Sequence, residues 1–126
     1  MSDIDTEGTL QSPTISFDET NNYLLIEGRS TLENPAKFYQ PLISKLENCK
    51  KLPARKMEID FKLEYFNTTS SISILGVLKC LQSIRTDGNE VVINWFYDAE
   101  DEDILEIGED FSTIVKFPFN LIVNSN

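Results

Sequence analysis

The segment Met57–Leu81, MEIDFKLEYFNTTSSISILGVLKCL, changes its hydrophobic period once, and that change constrains the fold more than any other feature. Met57, Ile59, Phe61, Leu63 and Tyr65 alternate with polar residues, which predicts a strand with one buried face. From Ile72 the apolar positions thicken, and Ile74, Val77, Leu78, Leu81 and Ile84 fall three or four apart, as on one face of a helix. Between the two patterns lie Asn67, Thr68, Thr69, Ser70 and Ser71. A helix start leaves backbone N–H groups without partners and carries a partial positive charge, so these side chains suit N-capping. The same place also suits a phosphate, and a phosphorylation switch at a surface that a partner touches is the second reading.

The rest of the chain supplies strands and helices around this unit. Pro13 to Phe17 and Tyr23 to Glu27 form two strands joined by the turn residues Asp18 to Asn22, a β-hairpin. Residues 28–33 connect to a helix that starts with Asn34 as cap and Pro35 at its first position. Pro41 interrupts that helical pattern and predicts a kink or a second start. After the central strand and helix, Asp87-Gly88-Asn89 is a stop with Gly88 as a left-handed cap. EVVINWFY, residues 90–97, is almost wholly apolar, which predicts a central strand buried on both faces. A third helix follows from the acidic run at Asp98, ended by Pro118, and FNLIV makes a last strand. The expected order is β-β-α-β-α-β-α-β, one α/β domain over residues 1–126 with a largely parallel sheet and an antiparallel edge. Residues 1–11 are polar and read as a loose tail.

Charge and missing residue types narrow the function. With 11 basic against 21 acidic residues the net charge is −10, which opposes nucleic acid as a partner and adsorption to an anionic membrane. No apolar run reaches the length of a membrane span and the N-terminus is acidic, so the expectation is a cytoplasmic protein without membrane insertion. Histidine is absent, which removes Ser-His-Asp and Cys-His catalysis and most transition-metal sites. Cys49 and Cys80 lack any CxxC spacing and read as free thiols.

Several constellations invite chemistry and have plainer explanations. Asp98 to Asp110 holds eight acids in thirteen residues, yet lacks the spacing of a calcium loop; acids at a helix start complement its dipole, and a solvated, partner-facing acidic face is the expectation. Glu58, Asp60 and Glu64 share the outward side of their strand, as exposed strand carboxylates do. Lys45, Lys50, Lys51, Arg55 and Lys56 cluster where a helix ends, again as dipole complements. Trp95, Phe96 and Tyr97 could wall a ligand site, though core packing explains them more simply. Gly76 and Gly108 lie inside helices, where a small residue permits close packing. No metal, cofactor or catalytic residue is expected.

The segments TEGTLQSPTI, LENPAKFYQPL, LEYFNTTSSISIL, DGNEVVINWFYDAEDED and FPFNLIV, in this order along nearly the whole chain, resemble the SiaC family of bacterial regulatory phosphoproteins. The resemblance implies a fold similar to STAS domains and anti-sigma-factor antagonists. It also implies partner switching: a Ser/Thr protein kinase phosphorylates one threonine, a PP2C-type phosphatase removes the phosphate, and the unmodified protein binds and stimulates an effector such as a diguanylate cyclase in biofilm control. The threonine after Asn in the family's Asn-Thr-Ser-Ser motif corresponds to Thr68. This chain has Thr69 where the motif has Ser, which makes Thr69 an alternative acceptor. Asn67, Thr68, Thr69, Ser70 and Ser71 are then the partner-binding surface. The alternative from another class is a STAS-like module for a nucleotide or lipid, with a pocket beside helix starts at the carboxyl ends of the strands.

Overall fold

The computed structural model describes residues 4–49 and 55–124. They form one six-stranded sheet in the spatial order β1-β2-β3-β4-β5-β6: β1 Ile4–Thr6, β2 Thr14–Asp18, β3 Tyr23–Ser30, β4 Lys56–Phe66, β5 Glu90–Tyr97 and β6 Asn120–Val123. Three helices connect the parallel strands: α1 Pro35–Cys49, α2 Thr68–Thr86 and α3 Glu102–Val115. The first three strands are antiparallel and β3 to β6 are parallel. The mixed sheet of the expected α/β class is therefore present, with one strand more than expected.

The additional strand is β1. Ile4 pairs with Phe17 and Thr6 with Ile15, so part of the supposed tail closes the sheet edge. The segment that follows is also tied down, with the Gly8 amide donating to Thr14 Oγ1 at 3.0 Å and the Thr9 amide to the Ser12 carbonyl at 2.8 Å.

The strand order explains how the core is arranged. Each of the three parallel connections steps to the next strand in the same direction, and right-handed crossovers then put all three helices on one face. Met57, Ile59, Phe61 and Leu63 of β4 and Val91, Ile93 and Trp95 of β5 are buried against those helices. Val92 and Phe96 face the other way and stay half-exposed. The expectation that β5 is central and buried on both faces is corrected: it lies next to the edge strand β6, and no helix among the described residues covers its second face.

On the uncovered face the sheet carries a polar ladder. Asn94 donates through Nδ2 to Glu58 at 2.9 Å and to Asp60 at 2.8 Å, and accepts from Asn120 at 3.0 Å. The Tyr23 hydroxyl donates to Asp60 at 2.7 Å, and burial together with that carboxylate holds its pKa well above the ordinary value. Glu58 and Asp60 are thus linked by an amide rather than poised as an acid–base pair.

Helix α1 starts as expected, with the Lys37 amide donating to Asn34 Oδ1, and continues through Pro41 without a second start. Lys45 reaches Glu19 at 2.9 Å instead of the helix carbonyls, and Lys56 approaches Glu90 at 3.9 Å; Lys50 and Lys51 of the expected basic cluster lie outside the described residues. At the end of α2, Gly88 has φ of 99°, and Asn89 bridges the Ile84 carbonyl to the Arg55 amide. Cys49 is buried and Cys80 half-buried, neither in a disulfide, and burial pushes the Cys49 pKa up.

Gly108 and Trp95 fix the seat of α3. A Cβ on Gly108 would fall 2.5 Å from the indole, so the helix rests directly on the ring. The indole Nε1 donates to the Ile104 carbonyl at 2.9 Å, and Phe61, Phe66, Phe111 and Phe119 surround the ring. Trp95 is therefore core, and the wall of three aromatics does not form, since Phe96 points to the opposite face. Gly76 differs: a Cβ there would meet only Ile43 Cδ1 at an ordinary 3.7 Å.

Candidate functional site

The junction is a capped helix start. The Asn67 side chain accepts from the Ser70 amide at 2.8 Å, while the Asn67 carbonyl accepts from the Ser71 amide at 3.0 Å. Asn67 has extended backbone (φ −81°, ψ 172°), so α2 begins at Thr68. The Asn67 amide donates to the Ser30 carbonyl at 3.1 Å, and this bond ties the cap to the end of β3.

The five junction residues do not share one environment. Thr68 and Thr69 are exposed, and Asn67 and Ser71 are half-buried. Ser70 is fully buried, which removes it from the expected partner-binding surface. Its hydroxyl accepts from Ser30 Oγ at 2.9 Å, and Ser30 accepts from the Tyr39 hydroxyl at 2.8 Å. This buried chain joins α1, β3 and α2 behind the junction. Unpaired buried hydroxyls carry a desolvation cost, so the chain holds the three elements in register.

A bulge reshapes the strand end in front of the junction. Gly28 pairs with Leu63 but Arg29 with Tyr65, so Glu64 is an extra residue in β4, opposite Gly28 at φ 119°. The alternation slips there. Tyr65, expected in the core, is 48% exposed, and Phe66 is buried in its place.

Tyr65 and Phe66 then border a groove between the end of β4 and α3, about 410 Å³ in volume. Ile104 and Ile107 complete its apolar part, and Glu64, Asp101, Asp103, Glu106 and Asp110 form its rim. A second depression of about 320 Å³ continues it to Asn67, Thr68, Ser71 and Ile114, and the two share Phe66, Ile107 and Asp110. The helix α3 carrying the rim is capped by Asp101, which accepts from the Ile104 amide at 3.1 Å. The groove lies beside the starts of α2 and α3 at the carboxyl end of β4, where α/β sheets hold their sites.

Exposed apolar side chains gather around Thr68. Ile114, 49% exposed, lines the same depression as Thr68, and Ile72, 69% exposed, follows it by one helical turn. An exposed apolar patch with a charged rim is the signature of a protein-interaction surface. Sequence reasoning left Ile114 on the apolar stripe of its helix and read Asp110 only within the acidic run, as part of a solvated, partner-facing face. Ile72 offered a signal, because it falls off the stripe formed by Ile74, Val77, Leu78 and Leu81.

Among the described residues no group of three or more acids or cysteines is arranged to hold a metal ion, and no helix is long and apolar enough to cross a membrane. The acids of α3 instead line the groove or face solvent.

Comparison with known proteins gives this surface its context. The model of the SiaC family of regulatory phosphoproteins matches residues 6–124. The chain belongs to the SiaC family. An uncharacterised protein of Pseudomonas aeruginosa (strain UCBPP-PA14) is 31% identical over 119 residues, 94% of each chain. The crystal structure of apo-SiaC from Pseudomonas aeruginosa is 29% identical, covers 98% of this chain and all of its own, and superposes with a TM-score of 0.89. A chain in the crystal structure of the diguanylate cyclase SiaD in complex with its activator SiaC, from the same organism, is also 29% identical with a TM-score of 0.90, covering 97% of this chain and all of its own. Membership makes this chain one of a family of regulatory phosphoproteins.

Proposed function

We propose that this protein is a partner-switching regulator controlled by phosphorylation of Thr68, with residues 1–126 acting as one STAS-like regulatory domain in the cytoplasm. A Ser/Thr protein kinase transfers the γ-phosphoryl group of ATP to Thr68 Oγ1, which gives up its proton as ADP leaves. A PP2C-type phosphatase returns the hydroxyl by hydrolysis and releases inorganic phosphate. The unmodified form binds and stimulates an effector, a diguanylate cyclase, in the way SiaC activates SiaD.

The observation that carries this reading is the position of Thr68. Its side chain is exposed at the first turn of α2 and borders an apolar depression next to Asp110. A phosphate adds about −1.5 to −2 charges at neutral pH. At a helix N-terminus that charge is tolerated by the fold. In front of Ile107 and Ile114 it blocks apolar docking by a desolvation cost. Thr69 is also exposed and remains the alternative acceptor, whereas Ser70 has no access to a kinase.

A small-ligand module finds support in the groove volume alone. Five carboxylates on the rim repel nucleotides, which favours a protein partner. Titration calorimetry of the unmodified protein, Thr68→Ala and Thr68→Asp against the cyclase of the same genome tests the switch. Binding by the first two and at least tenfold weaker binding by Thr68→Asp is expected; equal binding by all three refutes it.

A further inference from the structure

We infer that the groove between β4 and α3 takes an amphipathic segment of the protein partner, one that presents apolar side chains flanked by Lys or Arg. The inference deepens the regulatory reading and rests on it for treating this surface as a partner site.

Two independent features define the occupant. The apolar part of the groove is made by Tyr65 and Ile107, and it continues to Ile114, so an apolar edge several residues long can lie along it. Beside it, Asp103, Glu106 and Asp110 recur on α3 at spacings of three and four residues, the spacing that puts side chains on one helical face. No salt bridge of the described residues involves these acids. A purely apolar partner leaves them facing a dehydrated interface, which is costly, and an acidic partner is repelled. A segment with basic side chains along one flank satisfies both parts of the surface. Its apolar edge passes beside Thr68, so the inference also names what a phosphate there obstructs: the far end of the same groove, with Asp110 common to both depressions.

The test uses the whole ¹⁵N-labelled protein and three synthetic amphipathic helical peptides. One has a Leu face flanked by Arg, one the same face flanked by Glu, and one the Arg flank with Ser replacing Leu. The Arg/Leu peptide is expected to shift amides of residues 64–68 and 101–114, and to bind about tenfold more weakly to Glu106→Gln/Asp110→Asn or at high salt. Ile114→Ser, an exposed change, is expected to weaken it as well. Binding of the Glu/Leu peptide with equal strength, binding of the Arg/Ser peptide with equal strength, or shifts confined to other surfaces each overturn the inference. The two readings fail separately. Absence of any phosphate on Thr68 or Thr69 in cells removes the switch while the Arg/Leu peptide still maps to the groove. Loss of the peptide result leaves a phosphate on Thr68 unaffected.

Discussion

Adding one methyl group at Gly108 tests how the groove wall is held. A Cβ there would lie 2.5 Å from both Cδ1 and Nε1 of Trp95 and 2.9 Å from Cε2, whereas ordinary contacts start near 3.4 Å. The indole cannot yield, because four phenylalanines enclose it and its Nε1 is bonded to Ile104. Helix α3 must therefore move out by about 1 Å, and overpacking of this kind costs about 1–3 kcal/mol. Against this, alanine is the better helix former by about 1 kcal/mol. The net expectation for Gly108→Ala is a loss of up to about 2 kcal/mol, or a fall in Tm of up to about 8 °C for a chain of this size. Gly76→Ala is the matched control, since its methyl group meets only Ile43 at 3.7 Å; it should raise stability by about 0.4–1 kcal/mol. Thermal melts by circular dichroism read the two signs, and tryptophan emission reports the displaced helix, since Trp95 is the single tryptophan. Equal stabilisation by both substitutions would show that α3 does not rest on the indole, and the groove geometry derived from that contact would fall with it.

Other expectations follow from the junction. Asn67→Ala removes the acceptor for the Ser70 amide and should cost about 1 kcal/mol, with Asn67→Asp restoring most of it, in urea titrations. Ser70→Ala removes a member of the buried hydroxyl chain and should destabilise by about 1–3 kcal/mol, while Thr69→Ala, at an exposed position, should stay within about 0.5 kcal/mol. The buried Tyr39 hydroxyl has its pKa pushed up to about 12, chiefly by desolvation, against an ordinary value of 10.0. The folded state thus keeps a proton that the unfolded chain loses, so this contribution is intact below pH 10 and falls by roughly 1 kcal/mol per pH unit towards pH 12. Tyr39→Phe should flatten that alkaline limb in melts taken across the same interval.

Much of the scaffold was legible because it is written in local period. The switch from alternation to helical spacing within Met57–Leu81, the Asn67 cap, the Gly88 stop and the full extent of β5 need only neighbouring residues. What escaped depends on distant partners. Strand β1 has a single apolar residue, Ile4, and exists because β2 offers an edge. Tyr65 continues the alternation on paper, yet the bulge at Glu64 turns it outward; the adjacent aromatic Phe66 was the hint that the pattern was slipping. EVVINWFY is apolar enough for a strand covered twice, but three crossovers of one hand leave its second face without a helix. Ser70 looks like its neighbours in composition, and only Ser30, forty residues away, decides that it is buried. The acids of α3 were visible as a run, but their role as a rim required knowing that α3 packs beside the end of β4.

The most direct test of the regulatory reading is phosphosite mapping by mass spectrometry on protein purified from its native host, with and without the kinase gene. A phosphate on Thr68 that depends on the kinase is the expected result, and one on Thr69 instead would move the acceptor by a single residue. Protein that carries phosphate on neither residue, with the kinase present and the phosphatase gene deleted, would contradict the switch.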